Sequence, residues 1–272
     1  MRNFFRLTVY SLLTVLTVAA LPVRGGDLRI GDSSGGSALN PLRQALLKLA
    51  GDAGEQNFEF SINRLTPQKA LEKLAAGELE LIIMEHRDIP ADRKNLSRTP
   101  FAAEALVCYS GRGNPLQSLS IRQLKEIWSS DRPVWRPYNG EFNDIHRIGL
   151  DFHRGGFVEA RFLGGKLRTA GVFRVKDIRR AWLFCSSSAL LCAPWTDELP
   201  ADLKTIAIDG IKPAPETIIR GNYPLNLRYE FVTLKNHAPA ADKFIKLIMS
   251  PEYSAMLRES SLLPIPSKGG KL

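Results

Sequence analysis

Between Leu227 and Leu234, Leu227, Tyr229, Phe231 and Thr233 alternate with Arg228, Glu230 and Val232. That period of two predicts a strand. Gly221, Asn222 and Pro224, with Tyr223 among them, predict a turn just before it. Phe244, Leu247 and Ile248 then recur at helical spacing, so a helix is expected from Ala240 to Met249, and Ser250-Pro251 opens another. Upstream, strand-like and helix-like runs take turns. Leu28 to Ile30 predicts a strand, and Asn40-Pro41 through Leu49 a helix with Leu42, Leu46 and Leu49 on one face. Phe58 to Ile62 is a second strand. Thr66-Pro67 starts a helix that runs through Ala76 to Gly77: the threonine caps it and the proline suits its first position. Leu79 to Met84 is a third, largely buried strand. This order is half of an open, doubly wound α/β domain.

The alternation continues. Phe101 to Ser110 predicts a strand, and Ser120 caps a helix packed through Leu124, Ile127 and Trp128. Ile145 to Asp151 predicts a strand and Phe157 to Leu163 a helix. A helix is also expected over Val175–Cys185, with Ile178, Ala181, Trp182 and Cys185 on one face, before short strands at Leu190–Pro194 and Leu203–Ile208. At the start of the chain, Arg2 and Arg6 precede the apolar run from Leu7 to Val23, and Arg24-Gly25-Gly26 follows. A charged start, a short apolar run and small residues predict a secretory signal over 1–25, cut near Gly25. The run of about 17 residues sits at the lower edge of what spans a bilayer, so an uncleaved anchor is the alternative. With no cysteine at its end, a lipoprotein anchor is not expected.

The formal charge is +9, or +6 without Arg2, Arg6 and Arg24. The charge is spread out, and no basic block points to nucleic acid. The cysteines are Cys108, Cys185 and Cys192. Export permits disulfides; Cys185 and Cys192 are spaced to close a short loop, whereas Cys108, in an apolar run, reads as a buried free thiol. The four histidines are scattered, so neither a metal nor a cofactor is expected.

Chemistry concentrates in the first loop, Gly31-Asp32-Ser33-Ser34-Gly35-Gly36-Ser37. Glycines let the backbone come close, hydroxyls donate, and a following helix start offers free N–H groups, which together make an anion cradle. A flexible turn is the plain alternative. An enzyme reading competes for the same residues, since Gly31-Asp32-Ser33 resembles the nucleophile block of GDSL-type esterases. Those enzymes need an Asp-x-x-His pair near the carboxyl end, with the Asp three residues before the histidine, and Leu234, Lys235 and Asn236 precede His237, so the Asp is missing.

Two stretches carry a broader resemblance. The segment from Asn114-Pro115-Leu116 through Ser118-Leu119-Ser120, Gln123-Leu124, Ile127-Trp128 and Ser129, and the segment from Gly221 to Pro264, are similar to the phosphate-binding family of bacterial ABC transporter substrate-binding proteins. The resemblance implies a two-lobed, type II periplasmic binding protein-like α/β fold. Each lobe would be a doubly wound sheet with helices on both faces. Lobe one would comprise 26–107 and 226–272, and lobe two 108–225. It implies a non-catalytic, monomeric periplasmic protein that carries phosphate or a similar small oxyanion to an inner-membrane ABC permease. By the same resemblance Ser33, Ser34, Gly35, Gly36 and Ser37 face the ligand, and Asp88 falls on the family's aspartate. His153, Arg154, Gly155 and Gly156 take the place of the family's second anion loop. The family's arginine would fall near Gly149, with Arg147 its nearest replacement. A diverged homologue acting as a sensor or envelope partner is the alternative, with the esterase third.

Overall fold

The computed structural model describes residues 28–34, 60–139, 143–150, 162–164, 170–237 and 239–266. The expected signal segment, the expected helix at 40–49 and most of the expected helix at 157–163 lie outside them; Phe162 and Leu163 are helical.

One strand joins two α/β halves. β1 (Leu28–Asp32) pairs in parallel with β2 (Phe60–Arg64) and β3 (Leu81–Glu85). Antiparallel β10 (Asn226–Leu234) lies between β3 and β4 (Leu96–Gly111), and β11 (Leu263–Pro264) pairs with the far edge of β4. Beyond Ala105, β4 exchanges these partners for β8 (Ala189–Pro194) and β9 (Leu203–Ile208). β8 continues in parallel to β6 (His146–Leu150), which pairs with β7 (Phe173–Val175), while β5 (Ser118–Leu119) edges β9.

Strand alternation decides which helix covers which face. Leu81 and Ile83 of β3, with Tyr229 and Phe231 of β10, share a core with α6 (Pro239–Ile248) and α7 (Pro251–Glu259) through Phe244, Ile248, Tyr253 and Leu257. Phe101 stacks on Phe231 at 4.0 Å, and Phe244 meets Phe231 edge-on at 5.6 Å. Ile82, Met84 and Val232 point the other way, onto Ala70, Leu71 and Leu74 of α1 (Pro67–Ala75). Burying each large aliphatic or aromatic side chain contributes about 1.5–3 kcal/mol. As expected, Thr66 caps α1, accepting from Lys69 N, and Gly77 leaves it at φ +72°.

The second half has one continuous core. It includes α2 (Ile121–Ser129) and the short helices α3 (Arg136–Asn139), α4 (Ile178–Trp182) and α5 (Pro215–Ile219) rim it. A reciprocal capping box starts α2: Gln123 N donates to Ser120 Oγ and Ser120 N to Gln123 Oε1. Asn114 braces the loop before it, accepting from Leu116 N and donating to Ser187 O.

Three expectations shift. β3 starts two residues later than the pattern suggests, and β2 runs two residues past its expected end, to Arg64, while its expected start at Phe58 lies outside the described residues. β4 begins at Leu96, before the predicted Phe101, because Pro100 lies at an irregularity where Tyr229 pairs with Ala102 and Glu230 with Pro100; a residue without an N–H is tolerated at such a bulge. The single helix expected over Val175–Cys185 is instead the end of β7 followed by α4, because Asp177 caps the helix by accepting from Arg180 N. Cys108, Cys185 and Cys192 are all buried, and no disulfide joins any two of them. No helix among the described residues is long and apolar enough to cross a membrane.

Candidate functional site

Open α/β sheets bind ligands beyond the carboxyl ends of their strands. β1 and β3 are parallel, so Ser33 and Glu85 emerge at the same end, beside the part of β4 that passes between the halves. β6 is parallel to β8, whose last residue pairs with Leu106 of β4; its carboxyl end at Leu150 therefore also aims at the crossing.

Asp32 is buried and organises the first loop. Its Oδ1 accepts from Ser34 N at 3.0 Å and Ser34 Oγ at 2.6 Å, an Asx-type turn. Ser33 donates both its N–H, at 2.9 Å, and its hydroxyl, at 3.2 Å, to Ile83 O. The two hydroxyl protons are therefore used within the protein, and Ser34 is fully buried. Gly35, Gly36 and Ser37 lie outside the described residues, as do His153, Arg154, Gly155 and Gly156. Asp88 is half-buried and ends a 3-10 turn, His86–Asp88, directly after β3.

Sequence reading missed the acids around that turn. Glu85, on β3, lies 2.7 Å from Arg87. Glu104, on β4, accepts from Tyr229 OH at 2.7 Å. Glu230, on the α1 face of β10, is held by Arg98 Nε at 2.8 Å and His86 Nδ1 at 2.5 Å. A proton donated by Nδ1 to Glu230 leaves that nitrogen no lone pair for Arg98 Nη2, 3.1 Å away, so the Arg98–Glu230 bond is the directional one. Burial raises the Glu230 pKa, but Arg98 and His86 together outweigh it and hold the carboxyl below its usual value. The one visible signal was an acid at an inward position of β10; its cation lies 132 residues away in sequence.

Arg147 does not take up the family arginine's role. It is buried on β6, and its guanidinium donates to Ile127 O at 3.1 Å, Ser130 O at 2.9 Å and Ala170 O at 2.9 Å. A positive group at these carbonyls complements the negative end of α2. Burial pulls its pKa below the usual arginine value.

A hollow of about 90 Å³ lies between the His86–Asp88 turn and the start of β10, lined by Glu85, His86, Arg87, Asn226, Leu227 and Arg228. It admits a few heavy atoms at most. A larger groove of about 420 Å³ runs between α4, the segment after β8 and the end of α7. Its Arg258–Asp197 and Arg179–Glu198 pairs neutralise one another. Among the described residues, no group of three or more His, Cys, Asp or Glu is placed to hold a metal.

No protein-family model and no curated protein matches the chain. Solved structures do. The "possible phosphate binding protein" of Planctomyces limnophilus aligns over 89% of this chain and 94% of its own, with a TM-score of 0.73 at 19% identity. PstS from Borrelia burgdorferi aligns over 89% and 100%, with 0.67 at 16%. The chain has the phosphate-binding-protein fold. An ABC-type phosphate transport receptor from Vibrio cholerae agrees, over 87% and 99%, with 0.63 at 14%. Within this two-lobed, type II phosphate-binding-protein fold, Ser33 has no base at hand in His237. β10 runs antiparallel to β3, with Phe231 opposite Ile83 and Val232 opposite Ile82, so His237 lies past the other end of the sheet. There it bonds Leu234 O and Asp242, each at 2.7 Å.

Proposed function

We propose that the chain is a non-catalytic, monomeric binding protein for phosphate or a similar small oxyanion, exported to the periplasm by its 1–25 signal. It would deliver that anion to an inner-membrane ABC permease. The observation that carries the reading is the match to a possible phosphate binding protein, a PstS and an ABC-type phosphate transport receptor, which reaches nearly the whole of each of their chains. The lobes divide as 26–107 with 226–272, and 108–225; the exchange of β4's partners between Ala105 and Leu106, and the start of β10 at Asn226, support that division. Ser33, Ser34, Gly35, Gly36 and Ser37 supply one side of the site and His153, Arg154, Gly155 and Gly156 the other, with Asp88 as acceptor. Because the hydroxyl protons of Ser33 and Ser34 are used within the protein, the reading assigns the first loop's donors to Gly35–Ser37. Arg154 adds a guanidinium fork suited to an oxyanion. Two lobes joined at a hinge close on such a ligand.

Native mass spectrometry of protein purified from the periplasm tests this. A retained mass equal to one phosphate-sized anion is expected, on a chain that begins near Gly26. A second reading, an envelope partner that has lost transport, is favoured by one observation: Leu183 is 82% exposed, beside exposed Phe184 and Phe173, whose rings meet edge-on. A chain that retains no anion and binds neither phosphate nor sulfate would favour it.

A further inference from the structure

Cys108 of β4 and Cys192 of β8 stand directly opposite one another. The ladder defines their kind of pairing. Leu106 N donates to Leu225 O, so the backbone groups of Leu106, and of Cys108 two residues on, face away from β8. Ala105 O, facing the other way, receives Trp195 N, on the β8 side. Cys108 and Cys192 are thus a non-hydrogen-bonded pair, for which Cα atoms lie about 4.5 Å apart. A disulfide accepts Cα separations of roughly 4.4–6.8 Å. The two sulfurs already approach to 3.4 Å, and both side chains are fully buried in the core of the second half. Cys185 lies in the same core but outside both strands, between α4 and β8.

We propose that Cys108 and Cys192 are a covalent modification site, closed as a cross-strand disulfide between β4 and β8 in the exported protein. Each thiol gives up one proton and one electron as the S–S bond forms. The two electrons reduce a disulfide oxidant, a protein dithiol oxidase in the cell or oxidised glutathione in the test tube, to two thiols. Both sulfurs are sealed in the folded protein, so the exchange belongs to folding, before β4 and β8 close. The bond ties together residues 84 apart and staples the strand that joins the halves to the core of the second. The proposal rests on the export reading only for the cellular oxidant; the pairing itself is tested apart from it.

The full chain is unfolded, refolded with reduced and oxidised glutathione, alkylated in denaturant and digested without reduction. The expected product is a Cys108–Cys192 linked peptide, two hydrogens lighter than the free pair, with Cys185 alkylated. The linked protein should melt about 5–10 °C above the reduced one. Cys185→Ser should leave both readouts unchanged. A Cys185–Cys192 or Cys108–Cys185 link, three alkylated cysteines, or a linked protein that melts no higher would overturn the proposal.

Discussion

Glu230 shows how far a single residue departs from its sequence pattern. Its period-two position puts it on the inward face of β10, among Met84 and Val232, where an uncompensated carboxylate would cost several kcal/mol. Arg98 and His86 supply the compensation. Glu230→Gln keeps the shape and loses the charge, and should cost about 2 kcal/mol at pH 7. Because the folded carboxyl titrates below its usual 4.5, its contribution is present above that value and lost as pH falls through the lower one. The gap between wild type and variant in urea unfolding should therefore narrow below about pH 4.5. A gap unchanged from pH 7 to pH 3 would contradict the assignment. At this scale the alternation was legible and the ion pair was not: nothing in a linear pattern brings Arg98 to Glu230. The same holds for Ser33 and Ser34, whose residue types suggest ligand donors but whose hydroxyl protons reach Ile83 and Asp32.

Among the elements, α2 was readable at its start and not at its end. Ser120 and Gln123, three residues apart, announce the capping box. The carboxyl end carries no basic residue of its own in its last turn, and Arg147 reaches it from β6. Arg147→Met should leave several buried carbonyls without a donor and cost about 3 kcal/mol in chemical unfolding, with faster amide exchange in the last turn of α2. A variant within about 0.5 kcal/mol of wild type would show that water replaces the guanidinium. Local pattern also misjudged β4 and α4. Pro100 looks like a strand boundary until the bulge opposite it is known, and a strand as short as β7 leaves too few positions to show a period of two.

Across the whole molecule, the legible stretches were those whose work is structural. Gly221 takes φ +81°, and Tyr223, fully buried, donates to Leu106 O on the strand that joins the halves. That bond pins the turn leading into β10 to the crossing itself, which is why Gly221–Pro264 reads so clearly. Ligand specificity is less legible because it depends on which groups remain free to donate. The proposed cleft offers backbone N–H groups and the Arg154 guanidinium as donors, with Asp88 as acceptor. Fully ionised sulfate has no proton for Asp88 and would meet an unpaired charge, whereas monohydrogen phosphate has one to give. Leaving that charge unpaired costs about 1–3 kcal/mol, roughly 5- to 150-fold in affinity. His153, if protonated, would offset Asp88 and favour sulfate at low pH, so the comparison belongs at alkaline pH. The most direct measurement is titration calorimetry at pH 8 with phosphate and sulfate. Phosphate should bind more tightly, Asp88→Asn should narrow the difference, and Arg154→Ala should weaken both; equal affinities or tighter sulfate would remove Asp88 from the site, and binding of neither anion would contradict the oxyanion-binding account.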